Sequence, residues 1–561
     1  MKIKLLLSGI CFALCLSCTD VLDKKDLGAI SEKDVWNDPL YAKAYLDRLC
    51  RDNLPRWNSQ AGDASDEAGG GGATMYGQMG LDQTVGDWHY TEIRKINIFL
   101  EEIGSGSIDK ATQQTLSAQA LVLRALRYFQ MVRLYGGVPM ILKAQDLTED
   151  LYVTRTKTSE CIRLIVKDLD DAIAMPEFPW KWSGADAGRI SKAAALALKG
   201  RILLYWASPQ FNPNNDPKRW EDAYAVNRQA AEELEKNGYG LFENFETLWF
   251  NEMNEEVILV TRYQDPSLTH NWEAGNRPYE PGMNNSNRNQ PTWEMVTAFP
   301  MNTGVAIDAS NSGYDPVHFW KNRDPRFAAT VAYNSCSWAL SGLPDKKLWT
   351  FAGAVTAQPS NTGFHCRKAV NPEYTAYYAE RSSTDWIEIR YAEVLLSYAE
   401  CAAETGNASE AYECLKKIRA RAGILPGNNS FYGLQENLSK ENLVKAVMLE
   451  RKIELAYEDK RHWDLRRRKL FESEMNGKRR HRLLETLLIP RDEFESIKET
   501  IDLNTDYATY FRQEMDELDR QYDINFKPEY YFYAIRKEHL EKNSKLEQTQ
   551  GWEGGTFNPL D

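Results

Sequence analysis

The sequence is poor in the residues that build metal and redox sites. Its 561 residues include nine cysteines and seven histidines. Downstream of residue 18 there is no Cys-x-x-Cys pair, and no His-x-x-x-His pair occurs, so the spacing predicts neither a zinc site nor a dithiol centre. Cys336 and Cys366 flank one irregular segment and could pair, but buried free thiols suit them at least as well. We therefore predict no metal and no cofactor.

Long apolar runs and a basic surface are also missing. Beyond the N-terminus no stretch has 18 consecutive apolar residues, and the mean hydropathy is -0.55, so nothing there predicts a transmembrane helix. Sixty-eight basic residues face 81 acidic ones, a net charge of -13. A nucleic-acid binder is expected to carry a basic face, so nucleic acid is not a predicted partner.

The N-terminus carries a short apolar run that predicts export. Two lysines precede the 12 residues from Leu5 to Leu16, which is too short for a membrane span and typical of a secretory signal. A small residue stands before Cys18 and polar residues follow it, a pattern that resembles a lipobox. The alternative is an ordinary signal peptidase site with an incidental cysteine. We predict a signal peptide over residues 1–17 and a lipidated tether over residues 18–40, with Cys18 as the site of lipid attachment.

The remainder, residues 41–561, is dominated by helical patterns. In "TLSAQALVLRALRYFQMVRLYGGVP", apolar residues from Leu121 to Tyr135 recur four, three, four and three positions apart, which is one face of a helix. Gly136 and Gly137 end it. Paired patterns of this kind recur near residues 113–175, 191–237, 387–422 and 439–470. They predict a mostly α, tetratricopeptide-like scaffold of helical hairpins, with long irregular loop insertions and a few short strands.

Two insertions, near residues 58–91 and 264–385, interrupt the helical pairs. The first contains the glycine run Gly69 to Gly72, which does not match a phosphate-binding loop. Its acidic residues Asp63, Asp66 and Glu67 could bind calcium, but the EF-hand spacing is missing, so a solvated or capping cluster is favoured. The second is rich in Asn, Gly, Pro and aromatics and shows no periodicity, as expected of a long functional loop.

An ordered set of segments resembles the SusD/RagB family. The set includes "LRALRYFQMVRLYGGVPMI", "NRDPRFAATVAYN", "IRYAEVLLSYAECAAETGN", "ERKIELAYEDKRHWDLRRR" and "IRKEHLEKNSKLEQTQGW". The resemblance spans essentially the whole mature chain. It implies a non-enzymatic, lipid-anchored protein on the outer surface of the outer membrane. It also implies a SusC-like TonB-dependent transporter as partner and an oligosaccharide as cargo, with polysaccharide utilization as the process served.

Both insertions offer the residues that bind sugars, namely aromatic rings for stacking and polar groups for hydroxyls. We predict that two or more of these aromatics are exposed, and we expect Trp293 to begin a helix and belong to the core. The candidate glycan-binding residues are Trp57, Tyr76, Trp88, Tyr90, Trp272, Tyr279, Asn284, Asn285 and Arg288.

Two alternatives to glycan capture stay open. A peptide-binding member of the same family is compatible with a tetratricopeptide-like groove and the net charge of -13. A secreted glycoside hydrolase on a helical barrel would also use many of the 16 tryptophans. Glu450 and Glu454 could be taken for a catalytic carboxylate pair, but their spacing better fits ion pairs along a helix.

Overall fold

The computed structural model describes residues 32–561 except 59, 281–282, 284–286, 344–345 and 355–357. The α-helices in chain order are α1 Glu32–Val35, α2 Pro39–Asn53, α3 Tyr90–Glu102, α4 Lys110–Tyr135, α5 Thr158–Ala174, α6 Lys192–Ala207, α7 Pro217–Lys236, α8 Trp272–Asn276, α9 Trp293–Ala298, α10 Pro325–Thr330, α11 Ala376–Ala379, α12 Tyr391–Glu404, α13 Ala408–Arg421, α14 Lys440–Glu454, α15 Arg461–Arg467, α16 Arg491–Ile497, α17 Tyr507–Tyr510 and α18 Lys537–Lys542. Short 3-10 turns lie at Leu81–Gln83, Gly184–Asp186, Leu248–Phe250 and Pro528–Tyr531, and a π-helical turn lies at Phe471–Met475.

The predicted helical pairs are present, and the mostly α fold class is confirmed. α4 packs against α5, α6 against α7, α12 against α13, and α14 against α15. Local sequence explains the helix ends: Asp109 accepts a hydrogen bond from the Thr112 backbone nitrogen at the start of α4 (2.9 Å), and Gly136, at φ 75°, ends it. The side chain of Ser191 caps α6 in the same way as Asp109.

The helical pairs enclose one large hydrophobic core. Val122, Leu126 and Phe129 of α4 are buried in it together with Leu196 of α6 and Leu395 of α12. α4 is buried along most of its length because other helices cover several of its sides. Within the described residues, no helix is both long enough and apolar enough to cross a bilayer.

The strands are short and form four two-stranded sheets, with β1 (Val257–Thr261) antiparallel to β4 (Trp386–Arg390), β2 (Val331–Ala332) antiparallel to β3 (His365–Cys366), β5 (His481–Leu487) antiparallel to β6 (Phe511–Glu517), and β7 (Gln548–Thr549) parallel to β8 (Gly555–Phe557). The segment "RFAATVAY" contributes both helix and strand. Its first part belongs to α10, which Asp324 caps and in which Pro325 occupies the first turn, and Val331–Ala332 form β2.

The loop-rich part of the chain has a second hydrophobic core. Trp249, Trp338 and Trp386 are buried in it, as are Ile453 and Ala456 at the end of α14. Since Leu443 and Val447, earlier in α14, belong to the first core, this helix joins the two. The insertion near 264–385 is therefore irregular in secondary structure but built around packed side chains.

Ion pairs fill the region between the cores. The Arg390 side chain, 1% exposed, lies 2.6 Å from Glu256, 2.7 Å from Glu454 and 2.8 Å from Glu458. Glu454 also contacts Arg421 and Arg326. Opposite charges held this close compensate the cost of removing each from water. Glu454 is thus engaged in ion pairs, but its partners lie on other elements, α10, β4 and α13, rather than along its own helix.

Glu450 behaves like Glu454. Its carboxylate lies 2.7 Å from Arg326 and 2.7 Å from Arg419, and its side chain is fully buried. Neither glutamate faces a cleft that a substrate could enter.

The two cysteines that could have formed a disulfide are not paired. Cys336 and Cys366 are both free and buried.

Candidate functional site

The two insertions meet along one edge of the second core. Gly69 donates its backbone N–H to the carbonyl of Gln290 (2.9 Å), and Thr292 donates to the carbonyl of Glu67 (3.1 Å). The side chain of Asn289 accepts a hydrogen bond from Gly62 (3.0 Å). Residues 62–69 and 289–292 thus form a continuous seam. We call the surface beside this seam the loop junction; it comprises Asp63, Tyr76, Arg288 and Tyr522.

Arg480 lies beneath the surface of the loop junction and holds the glycine run in place. Its buried guanidinium donates to the carbonyls of Ser65 (3.1 Å), Ala68 (2.7 Å) and Gly70. On its other edge it contacts Asp519 at 2.8 Å. The first insertion is therefore held in place by residues that flank β5 and β6.

The glycines leave room for two polar groups at the loop junction. A Cβ on Gly70 would lie 2.2 Å from Cγ of Asp63, and a Cβ on Gly71 would lie 2.8 Å from the Tyr76 hydroxyl. Any side chain at either position would displace the group beside it. Glycines 69–71 are thus explained by close approach of backbone to side chains, whereas a Cβ on Gly72 would meet nothing within 4 Å.

Tyr76 is oriented by charged neighbours. Its hydroxyl donates to Asp519 (2.5 Å) and accepts from Arg480 (3.2 Å). Its ring lies 6.1 Å from that of Tyr522, which is 43% exposed. Burial raises the pKa of Asp63, while the hydrogen bond from Gln60 and the positive charges of Arg480 and Arg288 act in the opposite direction. The loop junction thus combines aromatic rings, a carboxylate and a guanidinium.

The acidic residues beneath the surface are already engaged. Burial alone would raise the pKa of Asp66, but Arg461 at 2.8 Å and Lys452 at 2.9 Å hold it well below its usual range. Burial, helped by the charge of Asp66, raises the pKa of Glu67 to about 8. Within the described part of the chain, no group of three metal-ligating side chains is placed to hold a metal ion.

Trp272, one of the candidate glycan-binding residues, is buried, so it is not available to a sugar. The ring is 2% exposed and lies 4.6 Å from Trp57. Its indole nitrogen donates to the Lys368 carbonyl (3.2 Å). The reason is that α8, which begins at Trp272, is buried over its whole length in the second core. A loop without periodicity can be packed as tightly as a helix.

Trp57 covers that aromatic cluster from the outside. It is partly exposed, and its ring lies 4.9 Å from Trp386 and 5.1 Å from both Trp249 and His270. Its indole nitrogen donates to the Thr384 carbonyl (2.9 Å). The role of Trp57 is thus at least partly structural.

Trp88 and Tyr90 lie together, but away from the contacts that define the loop junction. Both are partly exposed, and their rings are 5.1 Å apart. Trp88 packs against Tyr135 and against His539 near the C-terminus. The candidate aromatics of the two insertions therefore do not all lie at one site.

The remaining candidates belong to the second insertion. Arg288 is partly exposed and donates its backbone N–H to the Gly275 carbonyl (2.8 Å). Tyr279 is partly buried. Asn284 and Asn285 lie outside the described residues. Trp293 begins α9, as predicted, and packs against the second core while staying partly exposed.

Sequence reasoning missed several exposed tyrosines. Tyr377 and Tyr378 stand on α11 with rings 5.2 Å apart, and the Tyr374 ring lies 6.2 Å from that of Tyr378. The density of tyrosine in "EYTAYYAER" was the available signal. Tyr522 carried no such signal, because its nearness to Tyr76 arises only from the tertiary fold.

Comparison with protein families gives two matches that together cover most of the chain. Residues 246–552 match the model described as the SusD family. Residues 32–204 match a model described as starch-binding associating with outer membrane.

Individual relatives are distant in sequence and similar in fold. "SusD-like protein P2" of Formosa agariphila is 25% identical over 403 residues, covering 71% of this chain and 74% of the relative. A SusD-like protein of Bacteroides fragilis superposes with a TM-score of 0.73 at 24% identity, covering 94% of this chain and all of that one. A SusD-like carbohydrate binding protein of the same species gives a TM-score of 0.70 at 21% identity over 91% of this chain and all of that one.

Proposed function

We propose that this chain, which belongs to the SusD family, binds an oligosaccharide at the cell surface through the loop junction and does not cleave it. The observation that carries the proposal is the convergence of the two insertions, which brings Asp63 and Tyr76 to the same surface as Arg288. Relatives described as carbohydrate binding and as starch-binding support the ligand class.

The chemistry of the loop junction suits a sugar. The Tyr522 ring is exposed enough to stack against the C–H face of a pyranose, as aromatic platforms do in ligand sites. The Asp63 carboxylate accepts hydrogen bonds from hydroxyl groups, and the Arg288 guanidinium donates them. Because Tyr76 is held by Asp519 and Arg480 before any ligand arrives, little ordering accompanies binding.

Replacing Tyr522 with alanine should weaken oligosaccharide binding about ten- to hundredfold, since one stacking aromatic contributes roughly 1–3 kcal/mol by analogy with base stacking. The glycan is first identified on an array that includes malto- and laminari-oligosaccharides, and affinity is then measured by calorimetry. The melting temperature should not change, because the ring is exposed. Tyr41→Ala is the matched control, since Tyr41 is 41% exposed on α2, outside the loop junction.

If Tyr522→Ala binds the oligosaccharide with wild-type affinity, the loop junction is not the binding site. The same array should carry cationic peptides, because a peptide cargo is the alternative within the family. A reducing-sugar assay on the bound glycan tests the absence of hydrolysis, and steady release of reducing ends would contradict the proposal.

The chain is further proposed to be anchored in the outer membrane by a lipid on Cys18 and to deliver its cargo to a TonB-dependent transporter. Cys18 lies outside the described residues, so the support is the lipobox-like sequence and a family model whose description includes association with the outer membrane. Two or more acyl chains would make such an anchor stable.

Outer membranes from cells with the wild-type chain should contain it, and its gentle detergent extraction should recover a large β-barrel transporter with it. Cys18→Ala should be lost from this fraction, whereas Cys11→Ala, in the same leader, should stay. A Cys18→Ala chain found at wild-type level in the outer membrane would refute the anchor. Recovery of the wild-type chain alone would count against the transporter.

A further inference from the structure

A cavity lies apart from the loop junction, where α3 begins. It has a volume of about 300 Å³ and is lined by the rings of Trp88 and Tyr90, by the apolar side chains of Leu151 and Val153, and by His539 and Lys542 of α18. We call it the Trp88 groove. Its volume is at the lower end of the range for small-molecule sites, so it suits one ring rather than a chain of rings.

The aromatic wall of the Trp88 groove is rigid. Trp88 stacks on His539 with ring centroids 5.1 Å apart and planes 21° apart, and it meets Tyr135 edge-on at 5.6 Å. The Tyr90 hydroxyl donates to the Pro139 carbonyl (2.7 Å). A ligand would therefore find the rings in place and lose little freedom of the protein on binding.

The opposite wall is also held in position. The Asn543 side chain donates to the Val153 carbonyl (2.9 Å) and accepts from the Lys545 backbone (3.0 Å). The first bond ties the end of α18 to the segment before α5, and the second fixes the Asn543 side chain. The groove is thus a preformed gap between fixed walls.

The Trp88 groove is lined by a positive charge, whereas the whole chain has a net charge of -13. Lys542 is the only fully charged side chain among the described residues that line it. Its ammonium group makes no hydrogen bond or ion pair with another described residue. Burial lowers the pKa of His539, which favours the neutral form of the ring. Two nearby carboxylates face other cations, since Glu541 lies 3.5 Å from Lys537 and Asp150 lies 2.5 Å from Lys545. Glu538 lies between Arg536 at 3.9 Å and His539 at 3.8 Å.

We propose that the Trp88 groove is a second sugar site, and that it takes a pyranose ring bearing a carboxylate, that is, a uronic acid residue. The apolar ring face would lie on the aromatic wall, and the carboxylate would meet Lys542. The ligand class, a sugar, rests on the proposed function, but the location and the preference for an acidic ring do not. A glycan long enough to reach both sites would bind more tightly than either part alone.

The test uses the whole mature chain and two probes, methyl β-glucuronide and methyl β-glucoside, at millimolar concentration, with affinities from ligand-observed NMR titrations. The wild type should bind the glucuronide threefold to tenfold more tightly than the glucoside. Lys542→Gln should remove that difference and leave glucoside binding unchanged. Lys537→Gln on the same short helix is the matched control and should change neither.

A second variant tests the place independently of the lysine. Leu151 is 46% exposed at the mouth of the groove, so Leu151→Glu should fold normally and repel the glucuronide, lowering its affinity at least tenfold. The proposal is overturned if neither probe binds, if both variants bind the glucuronide like the wild type, or if Tyr522→Ala abolishes glucuronide binding. Normal oligosaccharide affinity in Tyr522→Ala would instead refute the loop junction and leave the groove intact.

Discussion

Trp272→Ala is expected to lower the free energy of unfolding by about 3–5 kcal/mol, the usual cost of removing a buried aromatic side chain. The ring is 2% exposed and packs 4.6 Å from Trp57, so its loss leaves a cavity inside the second core. The hydrogen bond to the Lys368 carbonyl is lost as well. Denaturant unfolding followed by circular dichroism should show the midpoint moving to lower concentration.

Tyr377→Ala is the control for this loss of stability. Tyr377 belongs to α11, which packs on the helix that Trp272 begins, but the Tyr377 ring is 60% exposed. Its removal should leave the midpoint unchanged. If Trp272→Ala unfolds at the wild-type denaturant concentration and only loses glycan affinity, the ring is a binding platform and the buried position is wrong.

Arg390→Met should be comparably destabilising, by about 3–5 kcal/mol, because it leaves buried carboxylates without their shared cation. Arg390 faces Glu256, Glu454 and Glu458 at 2.6–2.8 Å. Methionine keeps much of the side-chain length, so the loss is of charge and hydrogen bonds more than of volume. The stability of Arg390→Lys should lie between that of the wild type and that of Arg390→Met. Lysine keeps the charge, but its ammonium group cannot reproduce the planar, forked hydrogen bonding of the guanidinium group.

A surface arginine provides the comparison. Arg163 pairs with Glu160 one turn away on α5, in full contact with water, and its replacement by methionine should have no measurable effect on the unfolding midpoint. Equal unfolding midpoints for Arg390→Met and Arg163→Met would mean that the buried ion pairs do not stabilise the region between the two cores.

The helical scaffold could be predicted because the sequence patterns that specify each helix lie within that helix and its ends. Apolar residues at helical spacing and the glycines after Tyr135 are readable within one segment, and the helix ends lie close to the expected positions. The second core could not be predicted in this way. Its partners are far apart in the chain: Trp57 and the Thr384 carbonyl are separated by 327 positions, and nothing in either segment indicates the other.

The types of residue at the proposed site could be chosen from the sequence, but their positions in the fold could not. Tyr76 and Arg288 were singled out for their chemistry, and both lie at the loop junction. Trp272 has the same chemistry in sequence and lies in the core, because irregular segments carry no periodic signal that separates a buried ring from an exposed one. Tyr522 was missed, since only the fold brings it to Tyr76.

Arg480 makes the loop junction depend on two parts of the chain that are far apart in sequence. Its guanidinium holds backbone carbonyls that precede it by 410 to 415 positions. A recombination event that exchanged only the N-terminal half between two relatives would separate this arginine from the glycine run it supports. The shape of the loop junction therefore depends on two distant segments, so an exchange that preserves it must include both the early loop and the late hairpin.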